Sequence, residues 1–259
     1  MVEMYYLNGV FLLIPFMEYG RGWSAKRRKQ SITPGRLVTY GLVFVLGLIV
    51  AMLPNLVIKW IIHGSPLDTG YGTGWFFWTD PRLLEVGFST EHGMFLWTPV
   101  LLATVVGLFL LWRRDRWIAV VSLVTFVAFY YVVASFQNWH GQSAFGSRFF
   151  ISFTPLFVLG LAMFLEESQT LLSRFPFPVL SLLLAMLILW NIGFIFQWGT
   201  NVVPNRGPVD FAVVARNQVT LVPQEAPGFI LRYLMARERV AAEVEQEDLV
   251  ELGKYRLRR

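Results

Sequence analysis

The chain has no cysteine among its 259 residues. That removes disulfide frameworks, zinc ribbons and thiol nucleophiles together. It leaves the compartment open, because a chain without thiols fits either redox environment. Charge is scarce as well: 15% of the residues are Asp, Glu, Lys or Arg, against roughly 25% in ordinary soluble domains. There is no phosphate loop of the GxxxxGK(S/T) type, no HExxH and no EF-hand loop. There is no internal repeat of fixed period and no low-complexity tract. What is present is apolar. Hydrophobic types make up 55% of the chain, and 23 Phe with 10 Trp give 33 large aromatics. A disordered chain would be poor in aromatics and rich in charge, so that class is excluded.

The apolar residues stand in blocks. Leu37–Ile62 runs 26 residues with one charge, Lys59, near its end. Met94–Trp112 and Trp117–Ser135 give 19 residues each, Phe149–Leu165 gives 17 and Val179–Trp198 gives 20, all without charge. A helix needs about 20 residues to cross roughly 30 Å of hydrocarbon. The blocks are apolar all round, whereas a helix on a soluble core carries a polar stripe. Buried helices of a soluble protein would need a larger polar shell than this chain supplies. Hydropathy and length therefore predict an all-α polytopic membrane protein with about five transmembrane helices. Tyr5–Met17, 13 residues with Asn8, Gly9 and Pro15, is short for a span and suits an interfacial or re-entrant segment, or the remnant of a span that begins outside this chain. It does not read as a signal peptide, because Met1–Tyr6 lacks Lys and Arg and carries Glu3.

Orientation follows from the short connections. Arg21–Arg36 holds six positive charges and no negative ones, which favours the cytoplasmic side. His63–Gly93 has one Arg and four acids, while Arg113–Arg116 has three Arg and one Asp. The alternation places His63–Gly93, Phe136–Arg148 and the tail outside. The tail carries nine Lys and Arg, but long segments translocate largely regardless of charge. The expected organisation is residues 1–20 as a short apolar membrane-associated segment and 21–36 as a basic cytoplasmic linker. Residues 37–198 form the five-span membrane domain, and 199–259 a small extracytoplasmic soluble tail.

Within the tail, Asn201–Pro208 and Pro223–Gly228 read as turns, Phe211–Val222 as a short strand and 229–252 as a helix. Arg239 and Glu243 pair four apart on that helix, and Gly253 is its stop. Pro54 and Pro155 fall inside apolar blocks and predict kinks. Pro99 lies near the start of its block, where Thr98 can cap the helix. Trp60, Trp75, Trp78, Trp97, Trp112, Trp117, Trp139, Trp190 and Trp198 fall mostly at block boundaries, the pattern of an interfacial aromatic belt.

The chemistry-bearing residues are polarised. His63, His92 and His140 all fall in the two outer connections. So do Arg82, Arg148, Asp68, Asp80, Glu91, Tyr71, Asn138 and Trp139. Taken singly, each has a structural explanation: a snorkelling Arg, a His bonded to loop carbonyls, a Gly in a turn. Their confinement to one side points to a site there. A guanidinium can hold a phosphate by paired hydrogen bonds, and aromatic, amide and hydroxyl groups suit a sugar or prenyl chain. The candidate substrate-binding residues are Arg148, His92, His140, Glu91, Trp139 and Tyr71. Catalytic residues are unassigned. No metal ligand set is read, since the histidines are dispersed and no Cys joins them. Gly70, Gly72 and Gly74 lack the strand–helix context of a dinucleotide fingerprint.

Three stretches carry a resemblance: Leu53–Tyr71 (LPNLVIKWIIHGSPLDTGY), Pro81–Gly107 (PRLLEVGFSTEHGMFLWTPVLLATVVG) and Trp139–Gly160 (WHGQSAFGSRFFISFTPLFVLG). With NGVFLLIP before them, they resemble the C-terminal half of bacterial membrane glycosyltransferases of the GT-C type, the group related to dolichyl-phosphate-mannose protein mannosyltransferases. The resemblance covers roughly Asn8–Leu165, more loosely to Trp198. It implies transfer of a sugar from a polyprenyl-phosphate donor to a glycan, lipid or protein acceptor. It implies a multi-pass protein of the bacterial inner membrane with its active face extracytoplasmic. Its partners would be membrane lipid and the lipid-linked donor, not nucleic acid, and no covalently bound cofactor is implied; a divalent metal stays open. Donor-site roles would fall on His92, Arg148, Gly141 and Gly146. The family's catalytic carboxylates lie in a first large outer loop, and no such loop precedes Leu37. The expectation is therefore a fragment or truncated reading frame, about half of a larger enzyme and inactive alone, or a divergent protein without catalysis. A non-catalytic membrane module that binds a lipid carrier or assembles with a partner is the alternative. A transporter is a weaker third, since the spans lack ionisable groups at mid-membrane.

Overall fold

A computed structural model describes residues 8–25, 34–66, 74–141, 144–171, 177–204, 206–239, 245–246 and 249–250. The chain is an all-α polytopic membrane protein. Among the described residues there is no strand, only an isolated antiparallel bridge between Phe76 and Phe136. The helices are α1 (Leu13–Ala25, entered by a 3-10 turn over Asn8–Leu12), α2 (Pro34–His63), α3 (Leu83–Phe88), α4 (Met94–Trp97) and α5 (Val100–Leu110). They continue as α6 (Arg116–Ser135), α7 (Thr154–Leu171), α8 (Phe177–Gly199), α9 (Phe211–Val219) and α10 (Leu221–Met235). Among the described residues, four stretches are long and apolar enough to cross a membrane: Val38–His63, Arg116–Ser135, Arg148–Ser168 and Val179–Gly199.

The fifth expected span, Met94–Trp112, is a correction. It is divided into α4 and α5, with Thr98 and Pro99 between them. Pro99 has no N–H to give, and its ring disfavours helical backbone at the residue before it; Thr98 is non-helical, at φ −134° and ψ 73°. Thr98 does not cap α5 either, since no side-chain cap bond forms there. Pro155 is a second correction. It is the second residue of α7, where a missing N–H is free of consequence, and it marks the change from a 3-10 turn (Arg148–Phe153) to α-helix. By contrast, α2 runs unbroken through Pro54.

The chain divides into two compact units, Met1–Pro81 with Trp112–Gln137, and Arg82–Leu111 with Asn138–Arg259. In the first, α1 packs against α6 and α2. Phe11 meets Phe129 at 6.1 Å between ring centroids. Trp117 Nε1 donates to Glu18 Oε1, while the Arg21 guanidinium lies 5.5 Å from the same indole. Asp115 caps α6, accepting from Trp117 N at 2.9 Å and Ile118 N at 3.0 Å. This satisfies two of the orphan donors at the helix start. The far end of α6 is tied to residues 75–78. Phe77 N donates to Ser135 O at 2.7 Å, Gln137 N to Trp75 O at 2.8 Å, and the Tyr131 hydroxyl to Trp78 O. Lys59, the one charge in the first block, is buried.

In the second unit α5 and α7 cross at backbone contact. A Cβ on Gly107 would lie 1.7 Å from Gly160 O, and one on Gly160 would lie 2.2 Å from Thr104 O. Small residues let membrane helices approach closely enough for dispersion to hold them. The tail folds as helix, correcting the expected strand at 211–222 and the expected turn at 223–228. Asp210 caps α9, accepting from Ala212 N at 2.9 Å and Val213 N at 3.4 Å. A cap of this kind starts a helix in a segment whose Phe and Val content reads as strand. Helix α10 begins at Leu221, eight residues earlier than expected, with Pro223 in its first turn and Pro227 inside it. It ends at Met235; the expected partners Glu243 and Gly253 lie outside the described residues.

Candidate functional site

The polar constellation collects in the second unit, around the turn Ser89–Gly93. The Glu91 N–H donates to Ser89 Oγ at 3.0 Å, a local side-chain turn that competes with helix. His92 follows with φ +64°, left-handed for a residue with a Cβ, a conformation that needs surrounding packing to hold it. That packing is Trp97, whose ring lies 4.5 Å from the imidazole. Gly93 lets the turn close, because a Cβ there would sit 2.5 Å from Ser89 N.

Trp97 is the hub of an aromatic core. Phe194 stacks on it at 4.3 Å and Phe145 meets it edge-on at 5.3 Å. Its Nε1 donates to Thr90 O at 3.3 Å, and the same carbonyl accepts from Val209 N at 3.2 Å. The break before Pro99 leaves the Trp97 carbonyl outside any helix ladder. Asn191, inside span α8, donates to that oxygen at 2.8 Å and to Thr98 Oγ1 at 3.3 Å. An unsatisfied carbonyl in an apolar interior costs about 1–3 kcal/mol, so Asn191 stabilises the broken helix. Trp97 and Trp139 are buried, which corrects their assignment to an interfacial belt; Trp60, Trp78 and Trp112 are exposed, as a belt requires.

Beside this core lies the charged cluster. Glu91 Oε1 stands 3.7 Å from His140 Nδ1. Burial lowers the His140 pKa from its ordinary 6.5; the Glu91 carboxylate opposes that, and the cations Arg82 and Arg148 add to it. His140 meets Trp139 edge-on at 5.6 Å. The Arg148 chain runs past Gly141, where a Cβ would sit 3.3 Å from its Cγ, and Gly141 itself is left-handed at φ +71°. The guanidinium lies 5.5 Å from the Phe149 ring. The buried Trp139 Nε1 has no hydrogen-bond partner among the described residues.

Glu91, His92, Trp139, His140 and Arg148 thus belong to one unit, and Glu91, Trp139, His140 and Arg148 form one linked set. His63 does not join them; it closes α2 in the first unit and is exposed. Tyr71, with Asp68, lies outside the described residues. Asn191, Phe145 and Phe194 complete the site without standing among the residues that the sequence singles out. Asn191 carried a signal, an amide within an apolar span, which membrane helices use as interhelical hydrogen-bond donors. Phe145 and Phe194 carried none. Among the described residues no group of three or more His, Asp or Glu is placed to hold a metal ion.

Comparison of the chain with known families, curated proteins and solved structures finds no match in any of the three.

Proposed function

We propose that the chain is a GT-C type membrane glycosyltransferase, or part of one. It would take a sugar from a polyprenyl-phosphate donor at the extracytoplasmic face of a bacterial cell membrane, and pass it to a glycan, lipid or protein acceptor. The observation that carries this reading is Arg148, Arg82 and His140 gathered beside the buried Trp139 N–H, which has no hydrogen-bond partner among the described residues. Two cations and a spare indole donor suit a phosphate monoester or diester oxygen. The resemblance of Leu53–Tyr71, Pro81–Gly107 and Trp139–Gly160 to that enzyme group supports the same conclusion.

In the transfer, an acceptor oxygen forms a bond to the anomeric carbon while the bond from that carbon to the phosphate oxygen breaks. The electron pair leaves on the phosphate, and the acceptor proton goes to a carboxylate base. Arg148 would stabilise the departing charge, because a guanidinium pairs with two oxygens at once. Gly141 leaves room for its side chain, and Trp139 would donate to a third oxygen. With Nδ1–H toward the Glu91 carboxylate, a neutral His140 can accept a proton at Nε2. His92, packed on the Trp97 ring, would act only indirectly, through that core. The base is unassigned.

A second reading, a non-catalytic module that holds the lipid carrier or assembles with a partner, is favoured by one observation: Glu91 is already turned to His140. One experiment separates the two. The full chain, reconstituted in lipid, is given a radiolabelled polyprenyl-phosphate sugar, and binding and transfer are followed. Arg148→Ala should weaken binding about ten- to a hundredfold, the value of a charged hydrogen bond. Unchanged affinity in that variant would remove the phosphate site. Binding without transfer would favour the module.

A further inference from the structure

We propose that the tail is a lipid-binding element, and that a groove between α8, α9 and α10 takes an acyl chain of an anionic bilayer phospholipid. The groove has a volume of about 650 Å³ and an almost wholly apolar lining, within the roughly 300–1,000 Å³ usual for a bound small molecule. One wall is α8. Its residues Leu189 and Ile192 are 65% and 54% exposed and belong to the membrane span Val179–Gly199. The groove is therefore continuous with a surface that hydrocarbon already covers. The other wall is Val222, Ala226 and Ile230 of α10.

The groove is a built feature. Gln218, from α9, fits against Gly193 of α8, where a Cβ would sit 2.0 Å from its Oε1, and its Nε2 donates to Trp190 O at 2.9 Å. This holds α9 to α8 at one end, and Phe196 against Phe229, 5.5 Å apart, joins α8 to α10.

Helix α10 does not have the surface of a helix in water. Leu234 and Met235 are 77% and 81% exposed, and Val219 just before the helix is 78% exposed. At 15 residues it reaches about 22 Å, too short for a bilayer core of about 30 Å. A helix too apolar for water and too short to span lies in the interface. Its charges fit that placement. Arg232 is in its last turn, Arg237 lies 5.7 Å from the Tyr233 ring, and Arg239 follows, with Glu238 the acid between them. Cations flanking an apolar helix end match anionic headgroups. This inference does not rest on the glycosyltransferase reading.

The test reconstitutes the full chain into nanodiscs of a zwitterionic lipid holding a minor fraction of phosphatidylglycerol with a photoactivatable acyl chain. Adducts are located by peptide mass spectrometry, with α2 as the reference for ordinary lipid contact. Labelling of residues 186–196 and 219–230 should exceed that of α2, and should exceed labelling by the matching phosphatidylcholine probe about fivefold. Unlabelled phosphatidylglycerol should compete it away, and Ala226→Trp should abolish it. The competition needs no variant, so the test stands even where Ala226→Trp does not fold. Labelling no higher than α2, or equal labelling by the choline probe, would overturn the proposal. So would displacement by polyprenyl phosphate but not by phosphatidylglycerol.

Discussion

Helix α2 and the segment Met94–Leu110 are both strongly apolar, yet their surroundings are opposite. Helix α2 runs 30 residues without a break, and of its stretch Val38–His63 Lys59 alone is buried by protein. Met94–Leu110 is broken at Thr98-Pro99 and buries Trp97, Thr104, Gly107 and Leu108. Apolar character alone selects the bilayer as surroundings. What selects a protein neighbour is the minority of small and polar positions: Gly107 and Gly160 for close approach, and Asn191 for the freed carbonyl.

That contrast can be broken at the glycines first. Gly160→Ala should destabilise the chain by about 1–3 kcal/mol, because backbone must move to admit the methyl group. Gly47→Ala in α2, where nothing stands within 4 Å, should be neutral or stabilising by up to about 1 kcal/mol. Thermal unfolding of the two variants in detergent measures the difference; equal effects would deny that the crossing is tight. Asn191→Leu comes next. It leaves Trp97 O unsatisfied and should lose about 1–3 kcal/mol, with increased hydrogen exchange around Leu101 and Leu102. In the first unit, Asp115→Ala should lose about 1 kcal/mol as the α6 cap goes, while leaving the Trp97 fluorescence environment unchanged.

The smallest expected effect concerns pH. His140 binds a proton more weakly folded than unfolded, so between the two pKa values the unfolded chain holds more protons. Stability is therefore full above the ordinary 6.5 and falls as pH drops below it. His140→Gln should flatten that slope. A stability that rose on acidification would mean that Glu91 dominates the imidazole, rather than burial with Arg82 and Arg148.

How much of this was readable from residue order depends on the range of the interaction. The spans beginning near Val38, Trp117 and Val179 are stated by local composition, because hydrocarbon imposes the same rule on every residue of a span. The division of Met94–Trp112 was signalled by Pro99, but the length of the block outweighed it. The tail was misread because Phe211–Val222 has strand-like residues, while its fate is set by Asp210 at one end and by Gln218 reaching Trp190. At the candidate site, Glu91, His92, Trp139, His140 and Arg148 were recognisable as polar groups gathered in loops. Their supports were not, since Asn191 and Phe194 arrive from more than 90 positions away in the chain, and periodicity carries no information about such partners.

We propose that Arg148 and His140 hold the phosphate of a lipid carrier. The most direct measurement is the affinity of the unaltered, reconstituted chain for a polyprenyl phosphate compared with the polyprenol of the same chain length. The phosphate should bind at least about tenfold more tightly, the value of one charge-assisted contact. Arg148→Ala should lose that preference. Equal affinity for the two lipids would contradict the proposal.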